Sequence, residues 1–204
     1  EKGVFVSRDL AASYVRANKG LSDSLNVTYL KFYGSSLYAS TQNGGVFVSA
    51  DTGKTWTALN AGLTNLNVKK IYASSSNVYI LDDSYGVFQL NGSRWNSIQA
   101  GLPANTLLTS MAFFGSKILL GTLGQGVFTR EESSGTWTVV NTGLGNLRVT
   151  SVATNGSKLF AGTDGAGVFV ANLDAASWTQ AAATSISHTT LMGLDGSKIQ
   201  DMAY

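Results

Sequence analysis

The chain of 204 residues has no cysteine, a single proline, a single histidine and little charge. Without cysteine there is no disulfide framework and no thiolate metal site, and the redox compartment stays open. The lone histidine, His188, has no visible nucleophile or orienting partner, so it reads as a solvated loop residue rather than a catalytic base. Charged residues make up 13% of the chain, well under the usual share. Fourteen basic and 12 acidic side chains leave a net charge of +2, and no basic cluster exceeds the pair Lys69-Lys70. That balance argues against nucleic acid and against an anionic membrane surface as partners. No apolar run reaches the length of a membrane span, so membrane insertion is not expected. The chain begins at Glu1 without Met and without a visible leader, which reads as a processed chain or an excised piece. Low charge combined with loops rich in Ser, Thr, Asn and Gly points to a bacterial-type secreted or cell-envelope protein.

What is present is a repeat. Gly-Val-Phe occurs at Gly3, Gly45, Gly86, Gly126 and Gly167, in steps of 42, 41, 40 and 41 residues. A fixed period of this size means one supersecondary unit copied along the chain. In the unit spanning 27–61, Val27–Tyr33, Leu37–Thr41, Val46–Ser49 and Thr55–Leu59 are short runs of aromatic and β-branched residues. Gly34-Ser-Ser36, Gln42–Gly45 and Asp51–Lys54 separate them as turns. This is the signal for antiparallel strands, and four per unit of about 40 residues is the blade of a β-propeller. The last strand carries an aromatic at Tyr14, Trp56, Trp95, Trp137 and Trp178. A Gly-Leu pair follows at Gly20, Gly62, Gly101 and Gly143, and the fifth unit lacks it, reading Ala181-Ala182-Ala183. The recurrent Phe and Trp are expected to pack between blades, since large aromatics dominate core energetics.

The expected fold is therefore all-β: a single propeller domain over 1–204 with five blades of four antiparallel strands. The units are 27–61, 68–100, 107–142, 148–183, and a composite of 188–204 with 1–18. The chain opens on a third-strand motif and ends on Thr190–Leu194 and Ile199–Met202, so joining both ends completes a blade and covers the open strand edges. Gln200 and Asp201 weaken that closure, because a buried Asp is costly unless paired. A monomer is expected if the ring closes.

The segment Ser49-Ala-Asp-Thr-Gly-Lys-Thr-Trp56 resembles the Asp-box, Ser-x-Asp-x-Gly-x-Thr-Trp, of the BNR-repeat propellers, the superfamily of sialidases and sortilin-type receptors. It matches at Ser49, Asp51, Gly53, Thr55 and Trp56 and has decayed copies at Asn91–Trp95, Ser133–Trp137 and Asp174–Trp178. The resemblance implies a structural role for Asp51, accepting backbone N–H bonds inside its hairpin, and more blades than five. One carboxylate there is too few for a calcium cage. No metal and no cofactor is expected.

Alternating strands put the loops after the second and fourth strands on the face opposite the Asp-box turns. Gln42, Asn43, Asp83, Tyr85, Gln125 and Asp164 are the candidate ligand-binding residues there, with the corner of Lys2 and Tyr204 and the loop residues Asn18, Lys19, Asp23, Asn65, Asn105 and Asn146 beside them. A sialidase would need converging arginines, but Arg8, Arg94 and Arg130 map to the Asp-box side. A glycosidase needs two opposed carboxylates, for which Asp82 or Asp83 with Asp164 is the best pair. The leading expectation is a non-enzymatic extracellular module binding a glycan or a protein segment. A carbohydrate hydrolase using Asp82 and Asp164, or a scaffold without a selected ligand, are the alternatives.

Overall fold

The computed structural model describes residues 3–22, 26–133, 135–175 and 177–181. Among them there are eighteen strands and no helix. Two compact units divide the chain, Glu1–Ile98 and Gln99–Tyr204.

The first unit holds a two-stranded sheet and two four-stranded sheets. The small sheet pairs β1 (Phe5–Val6) with β2 (Val15–Arg16). The next runs in chain order through β3 (Asn26–Tyr33), β4 (Ser36–Gln42), β5 (Gly45–Ser49) and β6 (Thr57–Ala58). The third runs through β7 (Val68–Ala73), β8 (Val78–Asp82), β9 (Val87–Asn91) and β10 (Arg94–Ser97). The second unit repeats the meander twice. One sheet contains β11 (Leu108–Phe114), β12 (Lys117–Thr122), β13 (Gly126–Glu131) and β14 (Thr138–Val139). The other contains β15 (Val149–Thr154), β16 (Lys158–Thr163), β17 (Gly167–Asn172) and β18 (Trp178–Gln180). The fold is all-β with five blade sheets, as the repeat predicts. The segments expected to complete a composite blade, with His188, Gln200, Asp201 and Tyr204, lie outside the described residues, as do Lys2 and Asp23.

Two structural devices recur with the repeat. The first is a bulge early in the first strand of each four-stranded sheet. In β3 the register passes from Val27↔Thr41 to Tyr29↔Ser40, so Thr28 is the extra residue, and the same shift recurs at Lys69, Thr109 and Thr150. A bulge bends its strand and adds twist. The second device joins one sheet to the next. The Trp95 N–H donates to the Ala61 carbonyl at 2.8 Å and its indole Nε1–H to the Leu59 carbonyl at 2.7 Å. Trp56 does the same to Lys19 and Ala17, and Trp178 to Thr142 and Val140. The Gly-Leu glycine sits at the crossing. A Cβ on Gly62 would lie 2.1 Å from the Trp95 carbonyl oxygen, and φ there is +90°. Only glycine combines that backbone with that approach.

The core lies between sheets. Trp95 is 1% exposed among Val46, Val68, Ile71 and Ile80. In the second unit Trp178 packs with Leu119, Val127, Val152 and Phe169. Burying such an aromatic and satisfying its N–H together make each joint costly to break.

Candidate functional site

At the turn between β5 and β6, the Asp51 carboxylate accepts from the Thr55 N–H at 2.8 Å, the Thr55 hydroxyl at 2.6 Å and the Ser49 hydroxyl at 2.7 Å. The Ser49 Oγ in turn accepts the Gly53 N–H. Bonds from Thr55 and Ser49 to the ionised form hold the Asp51 carboxyl far below the ordinary carboxylate range.

Among the described residues the same turn occurs once more, unread in the sequence. Asp9 accepts from the Ser13 N–H at 2.9 Å, the Ser13 hydroxyl at 2.6 Å and the Ser7 hydroxyl at 2.8 Å, while Ser7 Oγ accepts the Ala11 N–H. Its carboxyl is lowered to about 2, chiefly by the Ser13 hydroxyl. Ser7-x-Asp9 stands 42 residues before Ser49-x-Asp51, and that spacing was the available signal. Ala at position 11 and Ser at 13, in place of Gly and Thr, hid it.

The face of the second-strand loops forms separately in each unit. In the first unit the Gly45 N–H donates to Leu66 and the Asp83 N–H to Asn67, which draws the loops at 42–45, 65–67 and 83–86 together. Asn65 Nδ2 donates to Ser84 Oγ, Asn67 Nδ2 donates to the Asp83 carboxylate, and Lys69 Nζ pairs with Asp83 at 2.8 Å. Asn43 and Tyr85 occupy the left-handed region at the loop tips, φ 68° and 66°. Gln42, Asn43 and Tyr85 are exposed, and Gln42 accepts from Asn26.

Asp82 behaves differently from its neighbour. It is 2% exposed, and its Oδ1 accepts the Ser84 N–H at 2.9 Å and the Gly86 N–H at 2.6 Å. In the other sheets this position, four before the Gly-Val-Phe glycine, is Thr41, Thr122 or Thr163, whose hydroxyls bond the glycine carbonyl across the same turn. Asp82 thus closes its hairpin in place of a threonine.

In the second unit the Gly124 and Gly126 N–H groups both donate to Leu147, and Asp164 N–H donates to Arg148. Gln125 accepts from the Thr106 hydroxyl at 3.2 Å. The Asp164 carboxylate receives the Arg148 Nε and Nη2 at 3.1 and 3.0 Å, while Asn146 Nδ2 donates to its carbonyl. Gln42, Asn43, Asp83 and Tyr85 come together in one unit, and Gln125 and Asp164 in the other. Lys69, Asn67, Ser84, Thr106 and Arg148 join these clusters without having been singled out for them. Lys69 is brought in by the bulge, which no composition argument shows.

No protein-family model matches the chain, and neither does any curated protein. Solved structures do. YCF48 bound to D1 peptide superposes with a TM-score of 0.64 at 13% identity, over 86% of this chain and 59% of that one. The computationally designed Ika4 protein gives 0.62 at 12% identity, over 78% of this chain and 98% of that one. The extracellular domain of a putative one-component system from B. thetaiotaomicron gives 0.59 at 20% identity, over 80% of this chain and 22% of that one. The chain therefore spans about a fifth of that extracellular domain and 59% of YCF48. At these identities the likeness is one of fold, that of a β-propeller.

Proposed function

We propose that the chain is a non-enzymatic, extracellular interaction module that binds an extended protein segment through the polar loops of the first unit, which carry Gln42, Asn43, Asp83 and Tyr85. The observation that supports this most directly is where the carboxylates go. Asp82 is taken up by two backbone N–H groups, Asp83 by Lys69 and Asn67, and Asp164 by Arg148. Gln42, Asn43 and Tyr85, exposed on these loops, are uncharged. Such a surface offers amide and phenol hydrogen bonds, the chemistry that reads a peptide backbone, rather than a poised acid and base. The peptide in the YCF48 structure and the extracellular domains among the structural neighbours support the same reading. The turn at Ser49–Trp56 serves as a local lock in this reading, in keeping with an Asp-box.

The test is peptide selection against the intact chain, followed by calorimetry of a selected peptide with the wild type and with an Asn43→Ala, Tyr85→Ala double variant. A loss of about tenfold or more is expected from removing two contact side chains. An unchanged affinity, or selection without enrichment, overturns the reading. Neutral glycans captured by the same loops would move it to a glycan module. Sugar turnover abolished by Asp164→Asn would move it to a hydrolase.

A further inference from the structure

A groove of about 340 Å³ in the first unit, away from the loops just described, is lined by Val6, Arg8, Val15, Arg16, Ala17, Thr52 and Lys54. It lies between the β1–β2 sheet and the Asp51 turn. We propose that it binds an anionic sugar, one bearing carboxylate or sulfate groups.

Three observations support this. The first is charge. Arg8, Arg16 and Lys54 line one groove in a chain whose net charge is only +2. The flanking carboxylates, Asp9 and Asp51, do not line it, and their oxygens are engaged by Ser7, Ser13, Ser49 and Thr55. Among the described residues Arg8 and Lys54 make no ion pair. The second is the floor. Val6, Val15 and Ala17 offer an aliphatic surface for the C–H face of a sugar, while an arginine fork matches carboxylate or sulfate oxygens in two bonds. The third is fixity and privacy. Ala17 accepts the Trp56 indole N–H at 2.8 Å and Lys19 the Trp56 backbone N–H, so the sheet and the turn that make the walls are tied together. The two arginines have no cationic counterpart one unit later or in the sheet of β11–β14. Arg8 and Arg16 become Ala50 and Ala58 one unit later, and Glu131 and Val139 in the sheet of β11–β14.

The full chain is titrated by calorimetry with a sulfated disaccharide and with its unsulfated counterpart. The sulfated sugar is expected to bind, and to weaken several-fold between about 0.05 and 0.3 M salt as screening shortens the reach of the cations. Arg8→Ala and Lys54→Ala together are expected to cost at least about tenfold, with circular dichroism and melting unchanged. Equal binding of the unsulfated sugar, or full affinity in the double variant, overturns the proposal. So does equal affinity for an acidic peptide of the same charge. Displacement by inorganic sulfate at equal concentration also overturns it, because the aliphatic floor would then contribute nothing.

Discussion

The turns at Asp9 and Asp51 use the same bonds 42 residues apart, yet the aromatic that follows each has a different fate. Trp56 is 4% exposed and donates to Ala17, whereas Tyr14 is 64% exposed. The turn is therefore a self-sufficient local object, closed by a Ser, an Asp and a second hydroxyl. Burial of the aromatic is a separate event that requires a neighbouring sheet to supply a wall and a carbonyl. The backbone differs too. Gly53 sits at φ 86° where glycine is at ease, while Ala11 sits at φ 70°. The Ser7 hydroxyl, itself fixed by Asp9, accepts the Ala11 N–H and holds Ala11 in a region that costs an L-residue about 1–2 kcal/mol.

The largest effect expected from breaking this comparison is at the aromatic. Trp56→Ala should destabilise the protein by about 3–5 kcal/mol in a denaturant titration, against about 0.5 kcal/mol or less for Tyr14→Ala. Equal losses would show that the two turns sit in equivalent surroundings. Next comes the glycine at the joint. Gly62→Ala meets the Trp95 carbonyl and should cost more than about 2 kcal/mol. Gly92→Ala, at φ 60° but with nothing within 4 Å, should cost about 1 kcal/mol, the backbone penalty alone.

Acid separates the two carboxylates. Both are lowered from an ordinary value of 3.8, Asp9 to about 2 and Asp51 further. Their contribution is thus present above about pH 4 and is lost as pH falls through the folded-state value, near 2 for Asp9. Thermal melts between those limits should show Asp9→Asn and Asp51→Asn closest to wild type at the acid end and furthest above pH 4, with the wider gap for Asp51. A pH-independent gap would mean that the bonds do not depend on ionisation. The smallest effect is a gain. Ala11→Gly should stabilise by about 0.5–1 kcal/mol by relieving the left-handed alanine.

The repeat made the fold legible because its spacing and its turn residues carry the same message. Gly45, Trp56 and Gly62 each mark a point where backbone geometry permits few alternatives. The strands followed to within two residues, as Val27–Tyr33 against the observed Asn26–Tyr33 and Thr55–Leu59 against Thr57–Ala58 illustrate. The candidate site was legible only in part. Side-chain type names a donor or an acceptor but not its partner, so Asp82 and Asp164 looked alike, and one closes a hairpin while the other meets Arg148. Aligning Asp82 with Thr41, Thr122 and Thr163 would have exposed the substitution. The groove beside Arg8 could not be read, since its walls come from stretches about 40 residues apart whose approach is set by the bonds of Trp56 to Ala17 and Lys19.

That glycine–tryptophan joint has a direction. At Trp56, Trp95 and Trp178 the preceding sheet presents a carbonyl forward and the next reaches back with an indole, so a tandem duplication creates both halves of a new contact in one event. Whole units can be added without inventing an interface, while inserting a fraction of one would misalign every joint downstream of it.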